Sequence, residues 1–204
     1  MPSFRLLPCF FAIATGAIIC AGCSEGSSSP SATTSQRTAE TLADLRQRPL
    51  HIGKLGAGEA CLTARPRRLS PAFGPGLGDG PVYPVGFPKG GVLRFPYPPP
   101  KNSLFAGSEW GGQKVLWVSD PKYDGPIVIR GQQVDGTNQV RFGQGSAAIR
   151  QELAFPAHSA DNWEGGWRNF PSYTRLRAPG CYAYQVDGAG FSDTIVFRAA
   201  LWGS

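Results

Sequence analysis

Glycine and proline limit what this chain can fold into more than any other feature of its sequence. Of its 204 residues, 27 are glycine and 19 are proline, and these two residues are the poorest helix formers. They are densest in residues 71–100, which contain seven glycines and nine prolines. Such a segment cannot be helical, and it is interrupted too often to be a central strand. We therefore predict extended, turning chain there, laid over a sheet.

Short apolar runs separated by turn signals indicate that most of the chain is globular and β. Hydrophobic residues make up 41% of the sequence and charged residues 17%, which is enough apolar material for a core. The sequence Asp187-Gly-Ala-Gly190 predicts a turn that joins two strands into a hairpin. The segments predicted as strands are 91–95, 114–119, 126–131, 139–142, 148–155, 173–177, 181–186 and 191–200. This spacing predicts an antiparallel β-sandwich with Gly/Pro-rich extended segments.

The predicted sandwich is immunoglobulin-like at most. An immunoglobulin domain places a tyrosine two residues before its second cysteine, whereas Pro179 occupies that position before Cys181 here. The two cysteines of the predicted folded region, Cys61 and Cys181, are also much further apart in the sequence than the cysteines of that fold. The two features together argue against a true immunoglobulin domain.

The amino terminus has the pattern of a secretion signal. Arg5 is followed by a run without charge over residues 6–21, which is shorter than the roughly 20 apolar residues of a membrane-spanning helix. The run ends in Ala21-Gly22-Cys23, which resembles the lipobox of bacterial lipoproteins, although Cys20 stands where that family usually has leucine. The resemblance implies cleavage before Cys23, a diacylglyceryl thioether on its sulfur and acylation of the new amine. The alternatives are an uncleaved membrane anchor and a plain secretory signal.

Three regions follow from this pattern. Residues 1–22 form the predicted signal peptide, and 23–47 form a Ser/Thr-rich tether that ends in a short helix before Pro49. Residues 48–204 form the predicted β-sandwich. The flexible Ser/Thr-rich part of the tether, residues 24–38, has a mean reach of roughly 20 Å. The lipoprotein resemblance therefore implies a domain outside the cytoplasm, held at the bacterial cell membrane or outer membrane by the lipid on Cys23.

The cysteine count supports export. The sequence has five cysteines; two leave with the signal peptide and one is the predicted lipidation site. Cys61 and Cys181 remain in the folded region, and an even pair in an oxidising compartment predicts a disulfide. The alternative is two separate buried thiols. The chain has no Cys-x-x-Cys pair and only His51 and His158 as further soft ligands, so we predict neither a zinc site nor any other cofactor.

A formal net charge of +6 bears on the partners of such a protein. A positive balance on a membrane-anchored chain favours contact with anionic lipid, an anionic envelope polymer or another envelope protein. Nucleic acid is not expected in that compartment. The predicted partners are therefore the membrane, through Cys23, and an envelope component.

The segment 163–173 is the strongest candidate for ligand binding. It contains two tryptophans, a phenylalanine, a tyrosine and Arg168 within eleven residues, and aromatic faces with arginine suit sugars, carboxylates and phosphates. Period-two alternation over 173–177 predicts that Arg175 and Arg177 share one solvent-facing side of a strand. The alternative is that the two tryptophans plug the open end of the sandwich. The candidate ligand surface is Trp163, Trp167, Arg168, Tyr173, Arg175 and Arg177.

No catalytic motif stands out. His158-Ser-Ala-Asp161 contains the residue types of a hydrolytic triad, but four consecutive residues cannot hold its geometry, and we predict a polar loop. The glycine-rich segment 74–80 lacks the Lys-Ser/Thr of a phosphate-binding P-loop and the acidic spacing of an EF-hand calcium loop. A carboxylate pair for glycan hydrolysis could be drawn only from Glu109, Glu152 and Glu164. We predict a non-enzymatic binding or structural module, with a cell-wall- or glycan-directed hydrolase as the alternative and no assigned catalytic residue.

A second resemblance covers residues 48–204. Several stretches are similar to those of uncharacterised exported bacterial proteins, and the similarity implies an architecture and a compartment but no activity. The stretches are Arg48-Pro-Leu-His-Ile52, Gly80-Pro-Val-Tyr-Pro84, Lys114-Val-Leu-Trp-Val118, Gly125-Pro-Ile-Val-Ile-Arg-Gly131 and Ala178-Pro-Gly-Cys-Tyr-Ala-Tyr-Gln-Val-Asp-Gly188.

Overall fold

Two β-sheets pack face to face, which confirms the prediction of an all-β sandwich. The computed structural model describes residues 40–143 and 148–203, within a unit that spans Thr38–Ser204. The predicted signal peptide, Cys23 and tether residues 23–39 lie outside the described residues. Among the described residues, no helix is long and apolar enough to cross a membrane.

Twelve strands and two short helices make up the described chain. The helices are α1 (Leu42–Gln47) and α2 (Pro88–Gly91). The strands are β1 (Pro66–Arg67), β2 (Gly76–Leu77), β3 (Val82–Val85), β4 (Val92–Phe95), β5 (Gly111–Ser119), β6 (Ile127–Gln133), β7 (Arg141–Phe142), β8 (Leu153–Phe155), β9 (Asn162–Glu164), β10 (Trp167–Leu176), β11 (Gly180–Gly188) and β12 (Phe191–Leu201).

The strands form two sheets. The first sheet has the order β1-β2-β3-β5-β10-β7, with β9 also paired to β10. The second sheet has the order β4-β12-β11-β6-β8. All pairs are antiparallel except β4 with β12, so the predicted antiparallel sandwich contains one parallel pair at this edge. About a hundred residues separate these two strands, and a parallel pair needs such a long connection rather than a tight turn.

The core lies between the inner faces of the two sheets. Alternate residues of β11 point inward, as predicted, and Tyr182, Tyr184 and Val186 are completely buried. The Tyr184 ring lies 5.0 Å from that of Trp117 on β5. Its hydroxyl is 2.6 Å from the hydroxyl of Thr174 on β10. This hydrogen bond satisfies two buried polar groups across the sheets.

Two sequence predictions of strand content need correction. The Gly/Pro-rich segment contains β2 and β3 as well as β4, which matches the strand predicted at 91–95. Pro84 is tolerated inside β3 because β2 pairs with that strand at one residue pair only, so the missing N–H costs little. The predicted strand 148–155 shrinks to β8, because the chain crosses from the first sheet, where Arg150 bridges Phe142, to the second.

The short helix predicted at the end of the tether belongs to the folded domain. Thr41 caps α1 in a capping box with Asp44, which satisfies free backbone donors of the first turn. Leu45 is completely buried, and Arg46 forms an ion pair with Glu152 at 2.6 Å. The domain therefore includes α1 and begins before the predicted boundary at residue 48.

After α1, residues 48–64 cross the outer face of the second sheet, and we call this segment the strap. The side chain of Gln185 holds it by accepting from the N–H of His51 at 2.6 Å and donating to the carbonyl of Pro49 at 3.0 Å. Beside it, the buried carboxylate of Asp187 contacts Arg130 at 2.6 Å. The strap explains why β11 is buried on both faces.

The predicted disulfide between Cys61 and Cys181 is confirmed, with the two Cα atoms 5.6 Å apart. Cys181 points away from the core, into a small second cluster with Ile52, Val134 and Ala183 beneath the strap. The bond therefore fastens the strap to β11. It does not cross between the two sheets, as the immunoglobulin disulfide does.

Candidate functional site

The six residues predicted as a ligand surface do not form one continuous surface. Trp163 lies on β9, and Trp167 opens β10 after a two-residue turn at Gly165 and Gly166, whose φ angles are 57° and 84°. The segment 163–171 therefore belongs to a tight hairpin of β9 and β10. Two adjacent glycines are the sequence signal for such a turn, because both positions need positive φ.

Arg168 is buried with 1% exposure, so it is not available to a ligand on the surface. Its guanidinium reaches the end of the sandwich and donates to backbone carbonyls of two loops. The acceptors are Tyr123 at 3.3 Å, Gly125 at 2.9 Å, Pro156 at 3.4 Å and Ser159 at 3.2 Å. Burial lowers its pKa, and the charge of Asp124 opposes that shift. Arg168 therefore joins these loops to β10.

Arg175 is also buried, with 0% exposure, and the prediction that it faces solvent was wrong. The predicted alternation is correct, and Arg175 does point away from the core. The loop 96–110 covers that outer face, however, and the Phe105 ring centroid lies 4.2 Å from the Arg175 guanidinium carbon. The guanidinium donates to the Trp110 carbonyl at 2.9 Å and to the Ser108 hydroxyl at 2.8 Å.

Glycine at position 112 creates the space for this arrangement. A Cβ atom there would lie 2.8 Å from Cδ of Arg175 and 3.0 Å from the ring of Phe105. These contacts are too close, so a side chain at position 112 would displace the arginine or the ring. The loop can therefore lie flat on the first sheet only because Gly112 has no side chain. The arginine and the glycine act together to fix the loop.

Arg177 remains at the surface, with 41% of its side chain exposed. It lies 4.2 Å from the centroid of the Trp110 ring and forms an ion pair with Glu109. Arg141 approaches the same ring at 5.8 Å. Arg177 is the one arginine of the predicted surface that solvent reaches freely.

The two tryptophans of the predicted surface do not belong to the core, so they do not plug the sandwich. Trp163 is 56% exposed. Trp167 is half-buried on the outer face of the first sheet, where its ring lies 6.0 Å from Phe73 and 6.2 Å from Tyr83. These rings sit at the end of β10 opposite to Arg177.

Tyr173 lines a groove of about 380 Å³ on the outer face of the first sheet. The groove is mainly apolar, and its lining residues include Lys114. Two of its side chains are strongly exposed, Trp202 at 61% and Leu104 at 59%. We call it the aromatic groove, and its principal lining residues are Pro100, Leu104, Phe105, Lys114, Tyr173 and Trp202.

A second groove lies on the outer face of the other sheet, beside the disulfide. Its volume is about 870 Å³, and it is the part of that face which the strap leaves uncovered. It carries charges of both signs around an apolar floor. We call it the disulfide groove, and its principal lining residues are Glu59, Arg94, Asp135, Cys181, Arg198 and Leu201.

The carboxylates considered for hydrolysis are not brought together. Glu109 is paired with Arg177 beyond the end of β10, and Glu164 pairs with Trp167 at its beginning. The length of a ten-residue strand, about 33 Å at 3.3 Å per residue, separates these ends. Glu152 is bound by Arg46. Hydrolysis needs two carboxyl groups about 5 to 9 Å apart, so these residues do not support the hydrolase alternative.

The polar loop predicted at His158 is also present. The His158 ring contacts the carboxylate of Asp124, whereas the Ser159 hydroxyl donates to the Pro156 carbonyl at 2.6 Å. Histidine and serine are therefore each bound to other groups and do not form a nucleophile–base pair.

A carboxylate pair that the sequence did not suggest is Asp79 with Asp193. Burial raises the pKa of Asp193, and the charge of Asp79 raises it further. The Oδ2 atom of Asp193 is buried without a hydrogen-bond partner among the described residues. Because the folded state favours the protonated acid, this group stabilises the fold below the unfolded pKa of about 4 and loses that contribution as pH rises.

We therefore expect Asp193→Asn to raise the melting temperature at pH 7, where the native carboxylate is ionised. The gain should disappear in acid, where native Asp193 is protonated. Thermal unfolding at both pH values measures this difference. Asp79→Asn is the control and should give a smaller gain, since Asp79 is exposed. A lower melting temperature for Asp193→Asn at pH 7 would contradict the assignment.

Comparisons with known proteins add no further constraint, since no protein-family model, curated protein or solved structure matches this chain. Within residues 40–143 and 148–203, no group of three or more His, Cys, Asp or Glu side chains is placed to hold a metal ion. The two grooves and the amino-terminal sequence pattern are therefore the features that bear on function.

Proposed function

We propose that this chain is a membrane-anchored extracytoplasmic lipoprotein that acts as a non-enzymatic binding or structural module at the cell envelope. The charge-free run that ends in Ala21-Gly22-Cys23 supports the anchor. The disulfide between Cys61 and Cys181 supports an oxidising compartment. The Ser/Thr-rich residues 24–38 would keep the domain at a short distance from the bilayer.

The observation that carries the binding role is the aromatic groove. Ligand sites are concave and mostly apolar, with a few polar groups that fix orientation, and this groove has that character. The faces of Tyr173 and Trp202 suit stacking on sugar rings. Lys114 offers a cation to an acidic substituent. A glycan of the envelope that carries anionic groups is therefore the proposed ligand.

The floor of the groove is held rigidly, which favours binding. Phe105 packs between the groove and Arg175, and its ring lies 5.6 Å from that of Tyr173. Arg168 and Arg175, which we predicted to contact the ligand, would act by keeping the surrounding loops in place. The ligand would meet the aromatic side chains and Lys114.

The position of the groove also suits a tethered protein. The described chain begins at Glu40, whose carboxylate accepts from the N–H of Gly190 at 2.9 Å. Trp202 follows the opposite end of β12, an eleven-residue strand that spans roughly 36 Å at 3.3 Å per residue. A lipid on Cys23 would therefore attach to the domain at the end remote from the groove.

We expect Trp202→Ala and Tyr173→Ala to weaken binding of residues 38–204 to anionic glycans by at least about tenfold, because each removes a stacking surface. A glycan array identifies the ligand, and titration then gives the affinities. Trp163→Ala is the matched control, since Trp163 is exposed to nearly the same degree as Trp202 but lies at the other end of the first sheet. Equal losses for Trp163→Ala and Trp202→Ala would contradict the assignment of the groove.

A further inference from the structure

The disulfide groove separates its charges onto two sides. Arg94 and Arg198 lie on the side formed by β4 and β12, where Arg198 is paired with Val92 on one neighbouring strand and Cys181 on the other. Asp135 lies on the opposite side, beyond β11, and its Oδ2 atom accepts from the N–H of Cys181 at 2.8 Å. The groove is therefore positive at one side and negative at the other.

Arg198 on one side and the carboxylates of Asp135 and Glu59 have free binding capacity. Arg198 is exposed, and it forms no hydrogen bond or ion pair with any residue that the structure describes. The second carboxylate oxygen of Asp135 accepts no hydrogen bond from the described chain. Glu59, which is also exposed, uses one oxygen to accept from the N–H of Gly56 at 2.7 Å.

Lys54, a cation on the strap, is already engaged. The amine of Lys54 donates to the carbonyls of Gln133 and Gly136, at 2.7 and 2.8 Å, and it forms no ion pair with Asp135 within the described residues. The floor between the two sides is apolar and includes the disulfide and Leu201. A ligand could thus meet an acid at one end, an apolar surface in the middle and arginine at the other.

The distance between the two sides selects a ligand length. Arg198 on β12 and Cys181 on β11 are neighbours across one strand spacing, and Asp135 follows β6, which lies one further spacing beyond β11, so the backbones that carry Arg198 and Asp135 are about 10 Å apart. An extended peptide spans about 3.3 to 3.6 Å per residue. Three residues therefore place an amine and a carboxylate at this separation.

We propose that the disulfide groove is a binding site for short zwitterionic peptides of about three residues. The peptide carboxylate would pair with Arg198, in the charge-assisted geometry that arginine favours. The peptide amine would pair with Asp135 and Glu59, and small apolar side chains would lie on the floor. This site is separate from the aromatic groove and does not depend on the proposed glycan ligand.

Calorimetric titration of oxidised residues 38–204 with trialanine tests this proposal. We expect trialanine to bind at millimolar concentrations, and N-acetyl-trialanine and trialaninamide to bind at least about tenfold more weakly, since each lacks one charge. Arg198→Gln should weaken trialanine binding but leave trialaninamide binding unchanged, because that peptide has no carboxylate to lose. Glu59→Gln should weaken trialanine binding but not N-acetyl-trialanine binding.

Three results would overturn the proposal. They are no trialanine binding at millimolar concentration, equal binding of the blocked and free peptides, and unchanged trialanine binding by Arg198→Gln. Arg65→Gln, at an exposed arginine away from the groove, is the control and should bind trialanine normally. Asp135→Asn is used only with a measured melting temperature, because Asp135 also accepts the N–H of Cys181, and Glu59→Gln keeps the acidic side testable without it.

Discussion

Replacing Arg175 with methionine should lower the free energy of unfolding by about 3 kcal/mol or more. Methionine fills similar space but cannot donate hydrogen bonds, so the acceptors that Arg175 now satisfies would be left buried and unpaired. These acceptors include the carbonyls of Gly111, Trp110 and Gly143 and the hydroxyl of Ser108. The loop 96–110 would lose its attachment to β10. Chemical denaturation monitored by fluorescence measures the loss.

Arg177→Met provides the matched control for this prediction. Arg177 lies two residues further along the chain and faces the same side, but its partner Glu109 is 81% exposed. A surface pair of this kind contributes at most about 1 kcal/mol. If Arg175→Met and Arg177→Met lower the free energy of unfolding by the same amount, Arg175 does not fix the loop 96–110 to the first sheet. Arg175→Lys should fall between wild type and Arg175→Met, because an ammonium group cannot reach all the acceptors at once.

Removing the disulfide with Cys61→Ser and Cys181→Ser together should cost about 4 kcal/mol. The bond links residues 120 positions apart, so it removes much of the freedom of the unfolded chain. It also fastens the strap, with its residue Ile52, over Val134 and Ala183, which would otherwise be open to water. Denaturant titration of the oxidised wild type and the double variant gives the difference.

Reduction offers an independent check on the disulfide. A reducing agent should lower the stability of the wild type to that of the double variant and leave the variant itself unchanged. A difference below about 1 kcal/mol between oxidised wild type and the double variant would show that the strap is held by other contacts. The hydrogen bonds of Gln185 to the strap would then be the next candidates.

The elements that the sequence predicted well carry strong local signals. The hairpin of β11 and β12 follows from alternating apolar residues on both sides of a glycine-rich turn. The disulfide followed from counting cysteines in a chain that we predicted to be exported. In both cases the decisive information lies in the residues themselves and needs no knowledge of what packs against them.

The roles of Arg168 and Arg175 could not be predicted in this way. Alternation placed Arg175 on the correct face of β10, but whether that face meets water depends on a loop some 70 residues earlier in the chain. The one signal in the sequence was Gly111-Gly112, a pair of glycines at the start of an apolar strand, which indicates close approach of other chain. An arginine that is buried and paired with backbone carbonyls has no comparable signal in the amino-acid sequence.

The charged sites show the same limitation more strongly. Asp79 and Asp193 are brought near each other by the contact between separate sheets, and nothing near either residue in the sequence points to the other. Arg198 and Asp135 in the disulfide groove are brought together by the strand order of the second sheet, and again nothing near either residue in the sequence points to the other. A sequence can suggest that such groups exist, but only the fold decides which of them meet.

The measurement that tests the central proposal most directly is mass spectrometry of the mature amino terminus in the native cell. The proposal predicts that the mature chain begins at Cys23, carrying a diacylglyceryl thioether and an acylated amine, and that Cys23→Ser abolishes both modifications. A mature chain that begins at any other residue, or an unmodified Cys23, would contradict the proposal that this protein is a lipid-anchored module of the envelope.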